Sequence, residues 1–224
     1  MSAVEVKIDA RRLLSGGLVI SVILFAVHMT MTLFEPEGAG QIANLKFDTA
    51  IPTWFASAML FVSSVLFLLV WNDSRQTDRH NRFYWLGLAA VFLTLSIDEV
   101  AALHEWLGAS APIDDRGGYF THGWVILGIG AVGVFALLYA RFIFQLPTRL
   151  RNLLLLSGVV YLGGALAWEM FNGNLQANNA SLNRYDRYTG VEELFEFVGA
   201  ALFICAAAVE TARRNVHLQV TFSA

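Results

Sequence analysis

Seven carboxylates in this sequence stand where a carboxylate is expensive. Asp98, Glu99 and Glu105 lie in the stretch SIDEVAALHE from Ser96 to Glu105, Glu169 in AWEMFN from Ala167 to Asn172, and Glu192, Glu193 and Glu196 in TGVEELFE from Thr189 to Glu196. All three stretches sit in or against long apolar runs. Carboxylates crowded in a low dielectric repel one another, so they must hold protons, face water or bind cations. Several carboxylates with imidazoles inside a helical bundle form the ligand chemistry of di-iron and di-manganese sites, and a zinc hydrolase needs fewer ligands still. The expected ligand set for a divalent metal (Zn, Fe or Mn) is Asp98, Glu99, His104, Glu105, His122, Glu169, Glu193 and Glu196. Asp98, Glu105 and Glu169 are the expected catalytic groups. No Glu-x-x-His and no His-Glu-x-x-His occurs, so the residue types match metal chemistry while the spacing leaves the metal open.

Only membrane helices can hold these residues together. Of the 224 residues, 56% are hydrophobic and 15% charged, with a mean hydropathy of +0.55, more apolar surface than a soluble globule of this size can hide. A hydrocarbon core of about 30 Å takes roughly 20 apolar residues at helical rise. Six such runs are present, approximately Leu13–Phe34, Thr49–Trp71, Phe83–Trp106, Thr121–Phe144, Leu153–Phe171 and Val191–Val209. The fold class is therefore all-α, a polytopic bundle of six transmembrane helices in one domain spanning 1–224. The first run lacks a small-x-small cleavage site and reads as a retained helix rather than a signal peptide.

Charge sets the expected orientation. With the N-terminus inside, eleven of the fifteen Lys and Arg fall on the inner side, leaving Lys46, Arg116, Arg184 and Arg187 outside. Both termini are then cytoplasmic, and the compact loops point to a bacterial inner membrane. Trp54, Trp71, Tyr84, Trp85, Trp106, Trp124 and Trp168 fall at run ends, as interfacial belts would. Thirteen of the eighteen acids lie outside or in the outer helix halves. Glu35, Glu37, Asp48, Asp114, Asp115 and Asp186 read as solvated loop acids. The rest, with His104, His122 and His28, bring groups from five helices to one depth. Within a continuous third helix Asp98 and Glu105, seven apart, would stand about 20° apart around the axis and roughly 10 Å along it, an acidic stripe.

Plainer roles compete at some positions. Glu192 follows Thr189 by three, the pattern of a capping box. His28 reads as a packing histidine beside Thr30 and Thr32, with a bis-histidine haem through His28 and His122 as the sharper alternative. Cys205, among alanines, reads as a small packing residue.

Composition closes several function classes. A net charge of −3 offers no basic surface for nucleic acid. One cysteine can make neither an intrachain disulfide nor a thiolate zinc site. No lysine lies in any apolar run, which excludes a retinal Schiff base. The pair Glu192-Glu193 resembles the Glu-Glu motif of CAAX-type intramembrane proteases, but the following Arg and the later histidine-bearing helices are missing, so the resemblance implies nothing here. Asn179-Ala180-Ser181 fits a glycosylation sequon, a pattern common by chance. The apolar inner halves argue against a relay across the membrane. The expectation is a metal-dependent membrane enzyme with a pocket open to the outer leaflet, membrane lipids as neighbours and a lipid or lipid-linked substrate. A proton or divalent-cation transporter is the alternative, and a metal-stabilised structural subunit the third reading.

Overall fold

The computed structural model describes residues 3–6, 8–34, 42–45, 50–110, 117–178, 181–216 and 218–221. The helices are α1 (Ala10–Phe34), α2 (Ile51–Thr77), α3 (Arg82–Ala101), the short α4 (Leu103–Ser110), α5 (Trp124–Gln145), α6 (Thr148–Leu162), α7 (Glu169–Ala177) and α8 (Leu182–Arg213). A π-helical segment, Gly163–Trp168, joins α6 to α7. A 3-10 turn, Gly118–Phe120, precedes α5. Among the described residues, six stretches are long and apolar enough to cross a membrane: α1, α2, α3, α5, the run 148–177, and 185–213. Strands β1 (Ala3–Val6) and β2 (Leu218–Thr221) pair antiparallel, Ala3 opposite Thr221. That pairing puts both ends of the chain on one face of the bundle, as an even number of crossings requires.

Burial runs opposite to that of a soluble protein. On α1 the buried residues are Ser21, His28 and Thr32, seven and then four apart and so on one face, while Val19, Ile20, Val22 and Ile23 are exposed. Leu137 of α5 is 83% exposed and Val159 of α6 is 72% exposed. Apolar side chains turned outward on every long helix are what a hydrocarbon solvent selects, and the fold is a polytopic membrane bundle.

The centre of the bundle is α8, in contact with α1, α2 and α6. Ala200, Ala201, Ala206, Ala207 and Ala208 are buried along it. Small residues let membrane helices approach until dispersion contacts hold them, since lipid supplies no hydrophobic drive between helices. Gly199 shows how close: a Cβ there would lie 2.7 Å from the Tyr161 backbone. The rings of Phe67, Trp85, Phe92 and Phe142 form a continuous aromatic cluster between α2, α3 and α5, with Phe67 stacked on Trp85 and Phe92 and Phe142 edge-on to Trp85. Buried hydroxyls serve the backbone. Ser63, Ser74 and Thr211 each donate to the carbonyl four residues earlier, and Ser64 donates to Ala89 O across α2 and α3.

At the face carrying the termini, α2 and α8 are joined by ions. Glu210 is fully buried and accepts from Arg213 Nε and Nη2 at 2.7 Å and from Arg214 Nε at 2.6 Å. Arg214 continues to Asp73 at 3.0 Å, to Thr77 and to Asp78, with its guanidinium over Trp85.

Several sequence boundaries are corrected. The third run does not continue to Trp106: Ala102 takes a left-handed conformation (φ 47, ψ 44) and starts a separate helix. The fifth runs on to Ala177, and the sixth begins at Leu182 rather than Val191, because hydropathy marks the membrane core while helices extend past it. Trp85 is not interfacial but fully buried. The acids Glu35, Glu37, Asp48, Asp114 and Asp115, and the sequon residues Asn179 and Ala180, lie outside the described residues.

Candidate functional site

Asp98 makes the break between α3 and α4. Its Oδ1 accepts from the His104 backbone N–H at 2.7 Å and its Oδ2 pairs with His104 Nδ1 at 2.9 Å. It also accepts from the Leu103 backbone. One carboxylate thus satisfies two orphan N–H groups at the start of α4 and orients the imidazole that begins it. The backbone cost falls on Ala102, where a non-glycine left-handed residue costs about 1–2 kcal/mol. Strain held by a side-chain constellation is a feature of functional sites. The His104 ring meets Trp124 at 4.6 Å between centroids. Burial pulls the His104 pKa down, but the hydrogen bond and charge of Asp98, with the charges of Glu105 and Glu169, outweigh it and leave it above the ordinary imidazole value.

A second constellation faces this one. The π segment adds a wide turn before α7, and such turns re-aim the residues that follow them. Gly164 in that segment packs where a Cβ would meet Glu192 O at 2.8 Å and Glu196 Cγ at 2.9 Å, so only glycine permits this approach to α8. Glu169 then comes within 3.7 Å of His122 Nδ1 through Oε1 and is hydrogen-bonded to the Glu192 carboxyl. Asn172 Nδ2 donates to Glu192 Oε2 at 2.6 Å. Glu99, Glu193, Glu196 and Asp98 all act electrostatically on Tyr161, two residues before the π segment.

The structure therefore brings together Asp98 with His104, and His122 with Glu169, while Glu99, Glu193 and Glu196 lie around Tyr161. The acidic stripe is corrected: Glu105 is exposed in the first turn of α4, across the break from Asp98. The capping role of Glu192 is corrected too, since it lies ten residues inside α8 and is buried. Thr189 donates instead to Tyr185 O. Among the described residues no three His, Cys, Asp or Glu side chains form a group able to hold a metal, so the eight expected ligands do not assemble as one centre. His28 is fully buried, as a packing residue would be, but its partners are not Thr30 and Thr32. Its Nδ1 accepts from Leu45 N and its Nε2 donates to Asp186 O at 2.9 Å. With both nitrogens engaged it is no haem ligand. Cys205 is buried and unpaired by disulfide.

Two residues beside these groups escaped the sequence reading. Asn172 lies three after Glu169, a helical spacing that puts the two on one face, and Tyr161 lies eight before Glu169. Only the missing charge kept them from notice.

A family model, Domain of unknown function (DUF8692), matches residues 13–211. The chain belongs to this family. The DUF8692 match runs from the first span into the last, and every residue of both constellations falls inside it. No curated protein and no solved structure matches the chain.

Proposed function

We propose that this protein is a membrane enzyme that uses acid–base chemistry on a lipid or lipid-linked substrate, from a chamber at the face away from the termini. The observation that supports it most is the Asp98–His104 pair. A carboxylate fixed on Nδ1 leaves Nε2 as the base, in the tautomer and orientation that proton abstraction needs. The neighbouring His122–Glu169 pair, 3.7 Å apart, is proposed to supply the complementary acid. A transport reading is weaker, because between this chamber and the ion network at Glu210 the buried polar side chains of the long helices are mainly hydroxyls bonded to their own backbone.

A divalent metal is the second reading of the same chamber. One observation favours it: Asn172 Oδ1 and His122 Nε2 are both buried without a hydrogen-bond partner among the described residues. The test is lipid turnover by the protein reconstituted in vesicles, followed by mass spectrometry of the extracted lipids. Wild type should consume a lipid and His104→Gln should not. Loss of turnover on chelation, restored by one metal, would favour the metal reading; proton flux without lipid turnover would sink the enzyme in favour of the transporter.

The chamber is proposed to open outward, from a bacterial inner membrane, with both termini cytoplasmic. The excess of Lys and Arg on the face carrying the termini supports this. Cysteines placed at Gln76 or Thr148 should react only with membrane-permeant thiol reagents, and one at Asn178 with impermeant reagents. The reverse pattern would put the chamber on the cytoplasmic side.

A further inference from the structure

Charge on the face carrying the termini is unevenly compensated. Its acids Asp73, Asp78 and Glu210 are taken up by Arg213 and Arg214, and Asp9 pairs with Arg12. The turn between α5 and α6 has no such acids. Arg141, Arg149 and Arg151 stand within eleven residues around it, while the chain carries no Asp or Glu anywhere from 116 to 168. Only Leu146 and Pro147 connect the two helices, so the three arginines are held together at one end of the bundle. Arg141 and Arg149 are exposed and Arg151 is half-buried. Among the described residues none of the three guanidiniums has an ion-pair or hydrogen-bond partner. A guanidinium stays charged and offers five N–H donors, so the ligand this cluster suits is an anionic oxygen.

The helices leading away from the turn leave open surface beside it. α5 leans on α4, on the π segment and, through Tyr139 and Phe142, on Tyr84 of α3, whereas α6 leans on α8. Consecutive though they are, α5 and α6 are not packed backbone to backbone among the described residues. They approach again only through the π segment, where a Cβ on Gly128 would lie 2.9 Å from Leu166 Cδ2. Between 129 and 138 only Val132 and Phe135, three apart on one face, are partly covered, and the other eight residues are exposed. Both flanks of α5 are therefore open, the one turned to α6 included. The stretch from Gln145 back to Gly128 spans about 25 Å at helical rise, against roughly 15 Å for the hydrocarbon depth of one leaflet. An acyl chain fits along it. Guanidiniums at the membrane surface above an open apolar flank match an anionic phospholipid, whose phosphate sits at the interface with its chains beneath.

We propose that the α5–α6 turn seats an anionic phospholipid of the leaflet next to the termini, its phosphate on Arg141, Arg149 and Arg151 and an acyl chain along the open flank of α5. This site is separate from the chamber and stands whichever reading of the chamber holds. The delipidated full chain in detergent is titrated with phosphatidylglycerol and with phosphatidylcholine of the same chains, and bound lipid is counted by native mass spectrometry. Phosphatidylglycerol should bind about tenfold more tightly or better, because choline cancels the phosphate charge. Each arginine near an anionic headgroup is worth about fivefold, so Arg141→Gln, Arg149→Gln and Arg151→Gln should each weaken phosphatidylglycerol by about that factor, and the triple variant by on the order of a hundredfold. Each single variant reads the site on its own should the triple variant not fold. Arg75→Gln removes an exposed charge from the same face on α2 and should leave binding at the wild-type level. Phosphatidylglycerol with a photoreactive group in one acyl chain should label peptides of α5 and α6, and the triple variant should lose that label. Equal binding of the two lipids, wild-type retention by the single and triple variants, a loss in Arg75→Gln as large as in those variants, or label confined to other helices overturns the assignment.

Discussion

Asp98→Asn is expected to cut turnover by about 10²–10⁴-fold, the range a positioned acid–base pair contributes, while the protein stays folded. The two roles of Asp98 separate in this variant. Asparagine keeps an oxygen to accept the His104 backbone N–H, so the start of α4 survives. Its amide cannot also serve as an ionised acceptor for Nδ1–H, so the imidazole loses the partner that fixes its tautomer. The pH dependence follows from the same pair. In the wild type Asp98 leads the groups that hold the His104 pKa above the ordinary value against the pull of burial. A base works in its neutral form, so wild-type turnover should rise with pH through a value above about 6.5. In the Asn variant burial acts with less opposition, and the limb should move to lower pH with a lower plateau. Stability carries the opposite sign. Protonated His104 is favoured in the folded state, so its contribution is complete below the unfolded value and is lost as pH rises through the raised folded one. The variant should show a flatter decline in unfolding midpoint across that window. An unmoved limb together with an unchanged plateau would remove His104 from the chemistry.

The crossings were legible because a bilayer imposes a length and a polarity that any apolar run of about twenty residues announces. What the runs do not announce is where a helix breaks inside or beyond the membrane. Val100, Ala101, Ala102 and Leu103 contain no glycine or proline, and propensity alone continues the helix through them. The break comes from Asp98, whose side chain competes for the N–H groups of Leu103 and His104, a local contest that a periodicity count cannot see. The start of α8 failed for the converse reason. Arg184, Asp186 and Arg187 are too polar for a membrane core, yet they are helical, and moving the helix start back to Leu182 turns Glu192 from a cap into a buried partner of Asn172.

A common depth was legible as an expectation, since the sequence places ionisable groups near the same end of five apolar runs. Assembly was not, because it depends on rotation. The π segment at Gly163–Trp168 sets which way Glu169 faces, and nothing in Gly-Gly-Ala-Leu-Ala-Trp distinguishes a π turn from an α turn by composition. Trp85 and Glu210 were misjudged or passed over together. Each sits near a run's end, where tryptophan and charge are ordinary; their burial exists only because α2 brings Asp73 and Phe67 against them and Arg214.

Glu210→Gln is therefore expected to be the most destabilising single change at the face carrying the termini, by about 3 kcal/mol, the low end for removing one member of a buried ion pair. Glutamine preserves the shape, so the loss is one of charge. Two guanidiniums lose their common anion, and their fates differ. The Arg213 side chain is 49% exposed and can turn to water, whereas that of Arg214 is 9% exposed and is held by Asp73, Asp78 and Trp85. The cost therefore falls mainly on Arg214. Arg213→Gln should cost under about 1 kcal/mol, as for an exposed pair. Arg214→Gln should approach the effect of Glu210→Gln, since it also releases Asp73 and so unfastens α2 from α8. Unfolding midpoints in mild detergent, by heat or by added SDS, decide the order. Equal small losses at Glu210, Arg213 and Arg214 would mean that the network is solvated in the membrane-bound protein, and that the alanine-lined seam of α8 alone holds this end of the bundle.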